Sequence, residues 1–369
     1  MKKILIANRG EIAIRIARTC NDLGIRTVGI YSEDDSKSLH LSKVDEAYKI
    51  DGKGAAAYLN IKEIIAVAKE AKVDAIHPGY GFLSENVKLA SSAKRSNIKF
   101  IGPNEKALKV FGDKTSAKAL ASDLSVPVIL GTSSKTTLKQ AENFFKGLRK
   151  NSSILIKAIS GGGGRGMRIV SNLEDLKEAF DRASSEAKTS FDSPDLYVEE
   201  YLKDYRHIEF QILGDGSGNV IHLHERECSI QRRHQKLIEI APSPSLNKDL
   251  KNKMIEASLA FGTKVKYEGL ATIEFLVNIE KGDFRFIECN PRIQVEHTVT
   301  ESITSLDLVK LQIQIASGKT LKQLKLDQDL IKEPKGFAIQ SIINLFRDAF
   351  GSTTAFIGDD AYTLSLIHI

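Results

Sequence analysis

The sequence predicts an α/β protein that opens with a doubly wound parallel sheet and continues into a mainly antiparallel one. Three observations carry that prediction. Strand-like and helix-like segments alternate through residues 1–103, a glycine run stands between two short strands within residues 154–170, and from residue 207 the apolar pattern shifts to longer stretches of period two.

Residues 3–7 read as a buried strand. Residues 11–23 read as a helix that sets Ile12, Ile16 and Leu23 on one face and stops at Gly24. Residues 27–31, 75–77 and 99–102 read as further strands, the second running into the turn Pro78-Gly79. Such alternation requires crossover helices and parallel neighbours. The first turn, Asn8-Arg9-Gly10-Glu11, holds one glycine where a dinucleotide fingerprint needs three, which argues against a nicotinamide site. Residues 104–130 read as a helical linker ending near Pro127 and residues 131–203 as a small α/β lid. Residues 204–361 read as a mainly antiparallel sheet interrupted by helices around 248–261 and 305–316.

Composition narrows the function classes. A chain of 369 residues favours two or three domains, and 42% hydrophobic residues is too many for disorder. No apolar run is long enough to span a bilayer, and Asn8 and Arg9 end the N-terminal apolar stretch too soon for a signal peptide. Cys20, Cys228 and Cys289 are few and widely spaced, which points to a reducing cytoplasm rather than a disulfide framework. The net charge of +6 comes from scattered lysines without an aromatic-plus-basic pattern, so a solvated surface and an anionic substrate are expected, not nucleic acid.

Three stretches carry chemistry. The run Gly161-Gly162-Gly163-Gly164-Arg165-Gly166 lies strand to strand and lacks the Gly-Lys-Ser/Thr ending of a P-loop. Without Cβ atoms its backbone N–H groups can close on phosphate oxygens, with Lys157 on the preceding strand as a point charge; a loose surface hairpin is the plain alternative. Next, residues 271–277 and 284–290 alternate about the turn Lys281-Gly282-Asp283, which reads as a hairpin. Symmetry about Lys281 sets Glu274 opposite Glu288 and Leu276 opposite Phe286, with Asn290 on the same face. Like charges so placed repel, and a divalent cation with hard oxygen ligands removes that penalty, while Leu276 and Phe286 offer an apolar floor for a base. A shifted register with both glutamates solvated is the alternative. Last, Arg226, Arg232, Arg233, His234 and Lys236 cluster within residues 224–236, and Arg292 and Glu296 follow the hairpin. Together they suit an anion pocket with a base; each stretch alone also reads as a solvated face or an RNA-binding patch. His207, His222, His224 and His297 lack zinc spacing and read as hydrogen-bonded strand residues.

Longer strings then agree with a known family. They include Ile6-Ala7-Asn8-Arg9-Gly10-Glu11-Ile12-Ala13, His77-Pro78-Gly79-Tyr80-Gly81-Phe82-Leu83-Ser84-Glu85-Asn86 and Glu225-Arg226-Glu227-Cys228-Ser229-Ile230-Gln231-Arg232-Arg233-His234-Gln235-Lys236. Taken in order from residue 4 to about 340, they resemble the biotin carboxylase family of the ATP-grasp superfamily. The resemblance implies an ATP-grasp fold with an N-terminal biotin carboxylase domain at 1–103, a lid and an incomplete C-terminal domain. It implies ATP contacts at Lys114, Lys157, Glu199, Leu202, His207, Gln231, His234, Glu274 and Leu276, with Gly163 and Gly164 in a flap over the phosphates. It implies Mg²⁺ or Mn²⁺ at Glu274, Glu288 and Asn290. Bicarbonate falls to Lys236, Arg292, Gln294 and Val295, with Glu296 as base and Lys236 and Arg292 acting in catalysis. The implied reaction carboxylates biotin on a carrier protein through carboxyphosphate. Implied partners are the biotin carboxyl carrier protein, a carboxyltransferase subunit and, at full length, a second copy of the chain. The implied setting is an acetyl-CoA, propionyl-CoA, pyruvate or urea carboxylase.

Two departures stand out. The family carries an arginine where this chain has Ile342, and isoleucine cannot hydrogen-bond the biotin enolate oxygen. Residues 362–369 resemble nothing in the family, so truncation or a reading-frame change is expected. Other readings are a different bicarbonate-activating ATP-grasp ligase, such as half of a carbamoyl phosphate synthetase, or an inactive nucleotide-binding fragment. The strings at residues 229–236 and 292–296 favour the carboxylase.

Overall fold

The computed structural model describes residues 1–132, 135–159, 167–232, 235–334, 336–347, 353–355 and 361–368. The N-terminal part runs β1 (Lys3–Ile6), α1 (Gly10–Asp22), β2 (Arg26–Tyr31), β3 (Glu46–Lys49), α2 (Gly54–Ala57), α3 (Ile61–Glu70), β4 (Ala75–His77), α4 (Val87–Arg95) and β5 (Lys99–Phe100). Its strands form a parallel sheet in the order β3-β2-β1-β4-β5. The strand order reverses between β1 and β4, and a crevice opens at their C-terminal ends. Asn8, just after β1, bridges that crevice by donating to the carbonyls of Pro78 at 2.8 Å and Tyr80 at 2.7 Å. Gly79 is required there: its φ is +65° and a Cβ would stand 2.9 Å from Asn8 Nδ2.

Residues 104–130 contain α5 (Glu105–Gly112) and α6 (Lys114–Asp123), capped by Asn104 and Asp113. The small unit follows as α7 (Leu138–Gly147), β6 (Ser153–Ala158), β7 (Arg168–Val170), α8 (Leu176–Phe191) and β8 (Leu196–Tyr201), with its antiparallel strands ordered β7-β6-β8. Ile154, Ile156, Val170 and Val198 alternate inward and pack with Ala141, Leu176 and Ala183 from the helices.

The remaining elements are β9 (Arg206–Asp215), β10 (Val220–Arg232), β11 (Gln235–Ala241), α9 (Lys248–Lys264), β12 (Glu268–Asn278), β13 (Asp283–Asn290), α10 (His297–Thr304), α11 (Leu308–Ala316), β14 (Ala338–Arg347), β15 (Thr353–Ala355) and β16 (Ala361–His368). The sheet they form is antiparallel, ordered β13-β12-β9-β10-β11-β14-β15 with β16 also on β14. Phe210, Phe275 and Phe286 pack with Phe111 of α5 and Met254 and Phe261 of α9, the Phe261 and Phe286 rings stacking at 4.6 Å. Leu213 and Leu270 instead join Ile4 and Ile6 of the parallel sheet, Ile16 of α1, and Leu308, Val309 and Ile313 of α11. One apolar core therefore fixes the crevice relative to the large sheet.

The helix expected around 305–316 is α11, and a separate helix, α10, precedes it. Ser305 takes a left-handed conformation and ends α10, and Glu301 accepts from Leu308 N at 2.7 Å to start α11. At the other end of α10, Glu296 occupies the N-cap. Among the described residues no helix is long and apolar enough to cross a membrane.

The hairpin corrects one expectation. Glu274 does pair with Glu288, but Phe275 pairs with Phe286 and Leu276 with Arg285. Ile287 is an extra residue, a bulge that flips the alternation of β13. Phe286 thus lies in the core with no exposure, where burying its ring is worth about 1.5–3 kcal/mol, and Glu288 keeps the cavity side. The apolar floor consists of Leu276 and Ile287, not Leu276 and Phe286.

Candidate active site

A cavity of about 700 Å³ opens where the lid strands β6 and β8, the β12–β13 hairpin and the crevice loop at Tyr80 and Gly81 meet. Lys114, Lys157, Glu199 and Leu202 line one end. His207, Gln231, Glu274, Leu276, Glu288 and Asn290 line the middle, and Lys236, Arg292, Gln294, Val295 and Glu296 the other end. Gly163, Gly164 and His234, together with Arg233, lie outside the described residues.

At the first end, Glu199 accepts hydrogen bonds from Lys157 and Lys118. Burial alone would push its pKa up, but the two ammonium groups outweigh it and hold the carboxylate below its usual range. The ring of Tyr197 lies under both, 5.8 Å from Lys118 Nζ and 5.9 Å from Lys157 Nζ. This end offers positive charge that a polyphosphate can draw away from Glu199.

In the middle, strand pairing brings the two carboxylates face to face. Glu274 is buried and satisfied: His207 Nε2 at 2.7 Å, Asn290 Nδ2 at 2.8 Å, Gln294 Nε2 at 3.0 Å and Lys236 Nζ at 3.2 Å. Gln231 Nε2 meets the other ring nitrogen of His207 at 2.8 Å and fixes the ring. Burial opposes ionisation of Glu274, but Lys236 and then His207 hold its pKa well below the usual range. Glu288 has no hydrogen bond or ion pair among the described residues, and burial followed by the charge of Glu274 raises its pKa. A hard dication would supply the missing counter-charge between the two carboxylates, but Asn290 turns its Nδ2 to Glu274 and its Oδ1 to Arg292, so its amide oxygen would have to turn before it could join them. Replacing Glu288 with glutamine has effects of opposite sign on fold and binding. Relief of repulsion stabilises the free chain by about 0.2–1 kcal/mol, while Mg²⁺-dependent ATP binding weakens by about tenfold or more. Thermal melting and Mg²⁺ titration of ATP binding read the two effects.

At the far end, Lys236 Nζ lies 2.6 Å from Glu209 and 2.5 Å from Glu296. Its own burial disfavours the ammonium, yet Glu209, Glu274 and Glu296 raise its pKa well above normal. The same contact works on Glu296: burial pushes up, and Lys236 followed by Arg226 holds it far below the usual range. Arg292 donates to Glu85 at 2.6 Å and to Asn290 Oδ1 at 3.0 Å, tying the crevice loop to the hairpin.

Arg226 differs from its sequence reading. It is fully buried, not part of an open anion pocket. Its guanidinium donates to Glu209 at 2.5 Å, Gln211 at 2.8 Å, Thr300 and Gln294 each at 2.9 Å and Thr272 at 3.1 Å. Arg232 is exposed at the end of β10. Sequence reasoning also passed over Glu209 and Lys118. Nothing in their strand or helix patterns separates them from ordinary surface charges; only the fold brings them to Lys236 and Glu199. Glu85 takes no role from sequence alone, and the fold makes it the acceptor for Arg292.

A parallel-sheet domain, a small lid and an antiparallel sheet with an acidic hairpin around a cation-lined cavity make up the architecture of the ATP-grasp class. Comparison agrees. Residues 113–324 match the family described as carbamoyl-phosphate synthase L chain, ATP binding domain, and residues 1–108 match biotin carboxylase, N-terminal domain. Among curated proteins, pyruvate carboxylase of Bacillus subtilis is 50% identical over 349 residues, covering 92% of this chain and 30% of that protein. Human mitochondrial pyruvate carboxylase is 50% identical over 344 residues, covering 92% and 29%. Among solved structures, biotin carboxylase of Campylobacter jejuni superposes with a TM-score of 0.87 at 42% identity, covering 93% of this chain and 75% of that one. The biotin carboxylase domain of Hydrogenobacter thermophilus 2-oxoglutarate carboxylase, solved with MgADP and bicarbonate, gives 0.87 at 44%, covering 93% and 74%. The chain belongs to the biotin carboxylase family. It spans about 30% of the length of the curated relatives named here.

Proposed function

We propose that this chain supplies the first half-reaction of a biotin-dependent carboxylase, in which ATP and bicarbonate carboxylate biotin on a carrier. The observation that supports this best is Lys236, which joins Glu209, Glu274 and Glu296 in the same cavity as Arg292 and the facing carboxylates.

A general base works best with a pKa near the operating pH, and the ion pair with Lys236 holds Glu296 far from it. Bicarbonate between Lys236 and Arg292 takes over the ammonium, and the proton affinity of Glu296 rises. Glu296 then accepts the O–H proton of bicarbonate, the freed oxyanion attacks the γ-phosphorus of ATP, and ADP leaves. Lys114 and Lys157 bind phosphate oxygens as charge moves onto ADP. Mg²⁺ or Mn²⁺, held by Glu274, Glu288 and Asn290, would supply the remaining neutralisation. Carboxyphosphate splits to CO₂ and phosphate, phosphate removes the N1′ proton of biotin, and the enolate captures CO₂. The lid around β6 and β8 shields these species from water.

The pyruvate and 2-oxoglutarate carboxylases among the relatives favour a 2-oxo acid as final acceptor over acetyl-CoA, and with it a carrier, a carboxyltransferase and dimerisation of this region. The cytoplasm is the proposed compartment, on the strength of three free, buried cysteines.

The test is ADP release from ATP. Release that depends on bicarbonate and rises with free biotin is expected. Stimulation by an amine donor instead would favour the carbamoyl phosphate synthetase reading, and ATP binding without bicarbonate-dependent release would favour an inactive fragment. Position 342 lies on β14, next to Ser341, which pairs with Ile238 of β11. Ile342→Arg is expected to raise the biotin-dependent rate by about tenfold or more while leaving the biotin-independent rate unchanged.

A further inference from the structure

Glu239 is a carboxyl group that the mechanism above does not use. It lies on β11, three residues after Lys236. Ile230 pairs with Ile238 and Gln231 with Lys236, which leaves Leu237 as an extra residue. That bulge flips the alternation, so Lys236 and Glu239 share a face. Glu239 has no solvent exposure, and neither of its carboxyl oxygens has a hydrogen-bond partner among the described residues. Its cross-strand neighbour Gln340 donates instead to the Val295 carbonyl, at 3.5 Å. The acids around it are Glu296 at the N-cap of α10 and Glu209 on β9; the cations are Lys236 and Arg226 on β10. Both cations are already bound to Glu209, and Lys236 also to Glu296. From α10, buried His297 stays neutral, its pKa lowered to about 4 by burial first and Arg15 second, and Glu301 is paired with Arg15. An ionised Glu239 would therefore be a buried charge with neither a free counter-ion nor a hydrogen bond, a costly state.

We propose that Glu239 is a positioning residue for the base Glu296: an uncharged acid that leaves the Glu296–Lys236 pair intact and the neighbouring pocket receptive to an anion. The idea rests on the reading of Glu296 and Lys236 given under the proposed function. Burial first, then repulsion from Glu296 and Glu209, raises the Glu239 pKa to about 8 against the weaker pull of Lys236 and Arg226. Above that pH a new negative charge appears beside the pocket. It competes for Lys236 and repels bicarbonate, so the KM for bicarbonate rises in the alkaline range on the order of tenfold, with kcat less affected.

Two measurements test this. Infrared spectroscopy of the parent chain should show a protonated-carboxyl C=O band at neutral pH that titrates near pH 8 and is absent in Glu239→Gln. In steady-state kinetics, Glu239→Gln, which mimics the neutral acid, should keep its neutral-pH KM for bicarbonate and lose the alkaline rise. A variant that retains the rise, or a parent spectrum without that band, overturns the proposal. Should the parent show no bicarbonate-dependent turnover, the functional reading fails, and the infrared arm still decides the state of Glu239.

Discussion

Glu296→Gln lowers bicarbonate-dependent ADP release by about 10²–10⁴-fold, the usual contribution of a positioned general base, with ATP affinity unchanged. The amide keeps the size of the side chain and loses its charge, and with it the ability to take a proton. The fold survives because Lys236 retains Glu209 and Glu274 as counter-ions. Single-turnover measurement of ADP formation, alongside ATP binding by fluorescence or calorimetry, checks both halves. A variant with full bicarbonate-dependent release would remove Glu296 from the role of base. The same experiment separates chemistry from binding, because among the described residues Glu296 bonds Lys236 while Lys157 bonds Glu199.

Arg226→Met is the second large effect, and it falls on stability. Five side-chain acceptors lose their donor at once, and Glu209, with no solvent exposure, keeps Lys236 as its one partner among the described residues. Breaking a buried ion pair by removing one member costs about 3–5 kcal/mol, a large share of the about 5–15 kcal/mol that holds a typical domain together. A lower denaturant midpoint and loss of soluble product are expected. Arg226→Lys should recover only part of the loss, since an ammonium restores the charge but not the planar five-donor fork. Wild-type stability in Arg226→Met would show that the network is dispensable to the fold.

Much of the site was legible in the sequence because it follows from local rules. Period two in residues 271–277 and 284–290, with a glycine turn between, is enough to set Glu274 against Glu288. Alternating segments in residues 1–103 are enough for a parallel sheet. Lys236, Arg292 and Glu296 stand in stretches that alone also read as a solvated face, and only the family resemblance marks them out.

What the sequence could not supply depends on packing between distant segments. The bulge at Ile287 exists because Phe286 finds Phe261 and Phe275 in the core, and no period-two rule contains that information. Arg226 reads as one more cation in a basic run; its five partners come from β9, β12, α10 and the loop before α10, up to 74 residues away. The proton affinities of Glu239, Glu288 and Glu296 are of the same kind. By itself each is an ordinary glutamate; the fold raises the first two through burial and neighbouring carboxylates and lowers the third by setting it against Lys236. Residue types and their periods thus determine strands, faces and candidate chemistry. Burial and electrostatic partnership are sums over neighbours that only the folded chain assembles, and they decide which of those groups carries a charge.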